Sequence, residues 1–385
     1  MTVSAPSSDV MIRLEGVGKR YPDGTVAVGE LSLDILDGEI CVLVGPSGCG
    51  KTTTLKMINR LIEPSSGRIF LDGDDVTNVD AVQLRRRIGY VIQQVGLFPH
   101  QTIATNVATV PKLLGWPKEQ IAARVEELLQ LVGLEPKTHG DRYPAQLSGG
   151  QRQRVGVARA LAADPSVLLM DEPFAAVDPV TRLHLQDEFL RLHREVGKTV
   201  VFVTHDIEEA VKMGQRIAIL DVGGVLAQYD TPAEVLARPA STMVADFVGA
   251  DRGLKRLRVT TIDPGSLEHP PTVTPDSTLA DARSAMDQTP MRWVAVVDEQ
   301  GVLRGSILAD DTAGAGVVRD HLRRFEAWVP ADGTLQDAMA KMLLTEAGWV
   351  AVLDGDRFLG ILTPDAVFRA LRHSLGDHPE EDAHD

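Results

Sequence analysis

Only two cysteines, Cys41 and Cys49, occur in 385 residues. That excludes a disulfide scaffold and suits a reducing compartment. No stretch approaches the roughly 18 consecutive apolar residues of a membrane span, so any membrane role must run through a partner. Residues Met1–Val10 contain Ser and Pro and lack the apolar run of a signal peptide. Basic charge is not in excess either: 39 Lys and Arg stand against 54 Asp and Glu, a net charge of −15. This argues against a nucleic-acid partner, which would call for a basic surface. Apolar residues at 44% and charged residues at 24% are ordinary for soluble globular domains. The length suits two or three of them.

What is present is an alternation of short apolar runs and amphipathic segments from Met11 to about Gly249. The runs Ile40–Val44, Val167–Met170, Val200–Val203 and Ile217–Leu220 lack period-two alternation, as expected of strands buried on both faces of a parallel sheet. In Lys118–Gly133 the apolar positions Ile121, Val125, Leu128, Leu129 and Val132 follow helical spacing. This predicts an α/β domain over residues 1–250. Residues 251–271, with Arg252, Lys255, Arg256 and Arg258 followed by several Pro and Gly, read as a basic linker. An internal repeat follows: Val273–Ala282 aligns with Val329–Ala338, and Trp293–Asp298 with Trp349–Asp354, at an offset of 56 residues (329 against 273, 349 against 293). The repeats, about 272–320 and 328–375, predict a pseudo-symmetric pair over 272–376, since two copies are too few for a solenoid. Residues 377–385 form an acidic tail.

Gly45-Pro46-Ser47-Gly48-Cys49-Gly50-Lys51-Thr52 fits the phosphate-loop pattern, between a strand and a helix expected at Thr53–Leu61. Glycines let the backbone wrap a phosphate, and the N–H groups form an anion nest at a helix N-terminus. Lys51 should reach the β- and γ-phosphates, and Thr52 should bind Mg²⁺. Val167–Asp171-Glu172 is a buried run ending in two carboxylates. Asp171 is placed to hold Mg²⁺ through water, and Glu172 to act as base toward an attacking water. Ser148, in Leu147-Ser148-Gly149-Gly150-Gln151, can cap a helix expected at Arg152–Ala162 and present its N-terminus to an anion.

The order of these motifs resembles the nucleotide-binding subunits of ATP-binding-cassette (ABC) transporters. The resemblance implies a P-loop NTPase fold with a helical subdomain. It implies ATP and Mg²⁺ as cofactors and assigns Gln93 as the Q-loop glutamine, a metal ligand near the catalytic water. By the same likeness His205 is the switch histidine, Asp178 the D-loop aspartate and Tyr21 the aromatic that stacks on adenine. The nucleotide contacts are then Tyr21, Gly45 through Thr53, Ser148 through Gln151, and Asp178, with Ser148 and Gly150 acting on the ATP of a second copy in a homodimer. Ala175-Ala176-Val177-Asp178 departs from the family's usual Ser-led D-loop. Gly96–His100 corresponds to the groove for a permease's coupling helix.

The repeated region resembles a tandem pair of cystathionine-β-synthase (CBS) modules, an α/β pair. With Ile58–Gly67 and Arg86–Gln94, it is similar to the osmoregulatory importers of glycine betaine, carnitine, choline or proline betaine. The resemblance implies an ATPase peripheral to the cytoplasmic face of the cell membrane. Its implied partners are integral permease subunits and, through them, an extracytoplasmic solute-binding protein. Import of another small solute such as an amino acid, or a soluble ATP-dependent switch without transport, are the alternatives. The CBS ribose pattern is incomplete: the first copy has Asp311 but Leu308 in place of the hydroxyl, and the second has Thr363 but Ala366 in place of Asp. An anionic lipid surface, met by Arg319, Arg323 and Arg324 or by the 252–258 cluster, and a cyclic nucleotide are the two alternatives for this module.

Overall fold

The computed structural model describes residues 10–92, 96–175, 177–324 and 326–374. The chain divides into two compact units, Met1–Gly249 and Ala250–Asp385.

In the first unit, strands Ile40–Val44, Val167–Asp171 and Thr199–Val203 are buried at every residue. They lie inside a six-stranded sheet ordered Val225–Asp230, Arg216–Asp221, Ile40–Val44, Thr199–Val203, Val167–Asp171, Ile88–Val91. All neighbours are parallel except Val225–Asp230, which runs antiparallel at one edge. Asp171 pairs with Val203, and Leu43 pairs with Val203 from the other side. The three strands therefore end side by side, and the residues just beyond them meet at the carboxyl edge of the sheet, where open α/β sheets place ligands.

A second, antiparallel sheet joins Val26–Leu36, Val10–Arg20, Ser66–Leu71 and Asp74–Asp75. Its inward residues Leu31, Leu33 and Ile35 share one core with Leu55, Met57 and Ile58 of the helix Lys51–Ile58. Between Ile88–Val91 and Val167–Asp171 the chain is mainly helical. Helix Lys118–Leu131 buries Ile121, Val125, Leu128 and Leu129, as its spacing predicts. Helix Gly149–Leu161 starts three residues before the expected Arg152, because Ser148 and Gln151 form a capping box that makes both glycines helical. The phosphate-loop helix likewise starts at Lys51, earlier than the expected Thr53, and ends at Ile58.

The second unit holds two three-stranded sheets, Thr272–Val273 with Trp293–Val297 and Leu303–Leu308, and Trp328–Pro330 with Val350–Asp354 and Arg357–Leu362. In each, a short parallel strand precedes an antiparallel hairpin. Helices Leu279–Asp287 and Leu335–Thr345 carry equivalent capping boxes, Thr278 with Asp281 and Thr334 with Asp337. Trp293 and Trp349, equivalent residues of the two copies, stack with ring centroids 3.8 Å apart and planes 1° from parallel.

The segments before the copies are exchanged. Glu268, before the first strand of the first copy, pairs antiparallel with Ile361 of the second, and Arg323, before the first strand of the second, pairs with Ser306 of the first. Each bridge has both backbone hydrogen bonds, at 2.9–3.1 Å.

The region expected as a linker differs from that expectation. Residues 252–259 form the helix Arg252–Val259, and Leu257, Ile262 and Leu267 enter the core of the second copy. Its arginines conceal a helix whose Leu257 alone is buried. The acidic tail 377–385 lies outside the described residues. Among the described residues no helix is long and apolar enough to cross a membrane.

Candidate nucleotide site

Strand Ile40–Val44 delivers the loop Gly45–Gly50 to the N-terminus of helix Lys51–Ile58. The loop needs glycine at two positions in particular. Gly45 at φ +153° and Gly50 at φ +92° leave no room for a side chain, since a Cβ would collide with the carbonyls of Leu220 and Ala27 respectively. The helix has no side-chain cap and no acidic residue in its first turn, so its free N–H groups and positive end face the loop.

A cavity of about 650 Å³ opens there. It is lined by Ala27, Gly45, Pro46, Ser47, Gly48, Gly50, Lys51, Thr52, Thr53, Glu172 and His205. Lys51 is buried, and its Nζ donates to the carbonyls of Gly45 at 2.8 Å and Pro46 at 3.0 Å. The ammonium is thus folded onto its own loop.

Thr52 Oγ1 donates to Asp171 Oδ1 at 2.9 Å. Burial pushes the Asp171 carboxyl above the ordinary carboxylate range, an effect opposed by the Thr52 hydrogen bond. Glu172 sits at φ +43°, in the left-handed region, with its N–H donating to Val203 O at 3.0 Å. This backbone turns its carboxylate out of the strand and toward the cavity, where Oε1 lies 3.3 Å from His205 Nδ1. Hard oxygen donors on Thr52 and Asp171 suit Mg²⁺, which keeps several waters and takes substrate phosphates as well.

Other expected residues stand elsewhere. Cys49 does not line the cavity: its side chain is fully buried in the core with Cys41 and Leu43, and only its backbone belongs to the loop. Tyr21 lies in the turn after strand Val10–Arg20, on the hairpin whose second strand supplies Ala27, and is not among the lining residues. Ser148, Gly149, Gly150 and Gln151 start their own helix and do not line this cavity. Ser148 Oγ accepts from Gln151 N at 3.2 Å. Asp178 caps helix Pro179–Val196 through Thr181 N at 3.0 Å, and that hydrogen bond holds its carboxyl below the usual range. Gln93 lies outside the described residues. Ala27 is the cavity residue that sequence reasoning missed, since no motif marks it.

In the second unit the incomplete ribose positions already have partners. Asp311 accepts two hydrogen bonds from Arg323, at 2.7 and 2.9 Å. Thr363 Oγ1 donates to Glu268 Oε1 at 3.1 Å, and Arg369 also donates to that oxygen. The basic clusters expected to meet anionic lipid are largely paired within the chain. Arg323 holds Asp311, Arg319 holds Asp276, Lys255 holds Asp251, and Arg256 donates to Leu371 O and Ser374 Oγ. Asp251 lies four residues before Lys255, whereas Asp276 and Asp311 reach Arg319 and Arg323 only through the fold.

A phosphate loop on a buried parallel strand, two carboxylates on a nearby strand end and a histidine facing the second of them define the first unit as an ABC-type ATPase. Residues 28–175 match the ABC transporter family, and residues 265–315 and 318–373 each match the CBS domain. The chain is 48% identical over 378 residues to the glycine betaine/carnitine/choline transport ATP-binding protein OpuCA of Bacillus subtilis, covering 96% of this chain and 99% of that one. It is 44% identical to the osmoprotectant import ATP-binding protein OsmV of Salmonella typhimurium, covering 93% and 95%. The dimeric, post-hydrolysis structure of the ATP-binding cassette MJ0796 bound to ADP and Pi superposes with a TM-score of 0.52 at 36% identity, covering 58% of this chain and 99% of that one. The chain belongs to the family of ATP-binding subunits of ABC importers for osmoprotectants.

Proposed function

We propose that this chain couples MgATP hydrolysis to uptake of a quaternary amine such as glycine betaine, carnitine or choline. It does so as a homodimer bound to permease subunits at the cytoplasmic face of the membrane, with an extracytoplasmic binding protein delivering the solute. The observation that carries this reading is Glu172 and His205 at 3.3 Å on the rim of the phosphate-loop cavity. The triphosphate lies along Gly45–Thr53, and its entry draws Lys51 off the Gly45 and Pro46 carbonyls onto the β- and γ-phosphates. Tyr21 stacks on the adenine. Thr52 and Asp171, with Gln93, would hold Mg²⁺, which would supply charge neutralisation at the phosphates. Glu172 takes the proton of the attacking water as the new O–P bond forms, and the bond from the γ-phosphorus to the bridging oxygen breaks. His205 orients Glu172 and the γ-phosphate. Ser148 to Gln151 of the partner subunit's copy close the site from outside, which accounts for their absence from the cavity lining. ADP and phosphate then release the dimer.

The test is uptake into vesicles containing the permease, with the full chain and ATP inside. ATP-dependent accumulation of labelled glycine betaine, abolished by Lys51→Ala, supports the reading. Uptake that ignores Lys51→Ala, or uptake of an amino acid in preference to quaternary amines, overturns it.

A further inference from the structure

Behind the catalytic rim lies a buried polar chain that the hydrolysis scheme leaves unused. Helix Pro179–Val196 is capped by Asp178, and Arg182 and Gln186 follow at four-residue intervals along one side. Arg182 Nη2 donates to Val177 O at 3.0 Å, so it grips the D-loop backbone. Gln186, 3% exposed, donates from Nε2 to Glu209 Oε1 at 3.0 Å. Glu209, 8% exposed, is stabilised in its ionised form by the nearby Thr204 hydroxyl and Arg182 charge, and its N–H donates to Asp206 Oδ1 at 3.4 Å on the switch side. Thr204 is the residue before His205, and its Oγ1 accepts from Asp206 N at 3.1 Å.

Burial raises the Glu209 carboxyl above its ordinary range, so the carboxylate costs stability where an apolar side chain would not. Its partners lie on the two segments that flank Glu172, the D-loop side and the switch side. Ala175 offers no hydroxyl to tie the D-loop locally.

We propose that Arg182, Gln186 and Glu209 form a positioning relay that keeps Thr204–His205 in register with the D-loop Val177–Asp178, so that D-loop position sets the placement of His205 against Glu172. None of the three lines the cavity; they act through His205, and the inference rests on the hydrolytic role proposed for it.

The experiment measures kcat and KM for MgATP on the full chain, with thermal midpoints alongside. Glu209→Leu is expected to lower kcat about tenfold or more while KM stays within about twofold, the signature of a lost positioning contact. Glu209→Gln should keep kcat within about threefold, because its side-chain amide can still hydrogen-bond the Gln186 amide. The pair Gln186→Leu with Glu209→Leu should recover the midpoint by apolar packing but not kcat. Wild-type kcat in Glu209→Leu, equal loss in Glu209→Gln, or recovery of kcat in the double-Leu chain would each overturn the relay. A wild-type chain that does not hydrolyse MgATP would instead overturn the proposed function.

Discussion

Thr52 Oγ1 and Asp171 Oδ1 are joined by a 2.9 Å hydrogen bond, although the strand Ile40–Val44 that leads to the helix of Thr52 is separated in the sheet from that of Asp171 by Thr199–Val203. The bond ties the first turn of the phosphate-loop helix to the end of a strand two places away. It also joins the two side chains that would hold Mg²⁺.

The first prediction follows from the burial of Asp171. Its folded-state pKa is raised, so the protein binds this proton more tightly folded than unfolded. The stability from that proton is present at low pH and is lost as pH rises through the raised value. At neutral pH the ionised carboxylate therefore weakens the metal-free protein. Asp171→Asn should melt a few degrees higher than wild type at pH 7 without Mg²⁺, with the gap closing in acid, yet show no Mg²⁺-dependent turnover. A lower midpoint for the Asn variant in calorimetry at pH 7 would contradict this account.

Glu172→Gln keeps shape and hydrogen bonding but removes the base. Turnover should fall by about 10²–10⁴-fold, the range for a general base. ATP binding should persist, and the ATP-bound dimer should accumulate on size exclusion. Turnover close to wild type would remove Glu172 from its assigned role.

Ser148 caps its helix away from the cavity of its own chain. Ser148→Arg should therefore abolish hydrolysis while leaving nucleotide binding by the isolated subunit nearly intact. Mixed with Lys51→Ala subunits, it should regain activity from one competent site per mixed dimer. Mixed dimers that form but stay inactive would rule out a site shared between subunits.

Trp293 and Trp349 stack face to face across the two CBS copies. Aromatic pairs contribute about 0.5–1.5 kcal/mol beyond buried area. A double-mutant cycle with Trp293→Ala and Trp349→Ala, read on the second unit's unfolding transition in the full chain, should give a coupling of about that size. Additive single effects would mean that the stack contributes no pairwise energy.

Legibility in the sequence divided along physical lines. The runs Ile40–Val44, Val167–Met170 and Val200–Val203 announced buried parallel strands because every residue in them is apolar. The phosphate loop announced itself because its glycines meet a local backbone demand. Features that depend on distant parts of the chain were not legible. Gln186 meets Glu209 only because helices Pro179–Val196 and Ile207–Met213 come together, and no local pattern encodes that pairing. Helix Arg252–Val259 was hidden because a single inward leucine leaves almost no apolar period, and Arg and Pro suggested a linker. Cys49 looked like a loop contact, but the turn that exposes Gly48 sends its thiol into the core.

The exchanged bridges, Glu268 with Ile361 and Arg323 with Ser306, make the two CBS copies a clasp. Each half is fastened by the stretch of chain that introduces the other. Deleting either repeat would strip an edge from the survivor's sheet and leave unpaired backbone groups open to other chains. The two copies therefore fold as one interleaved pair and not as two self-contained halves.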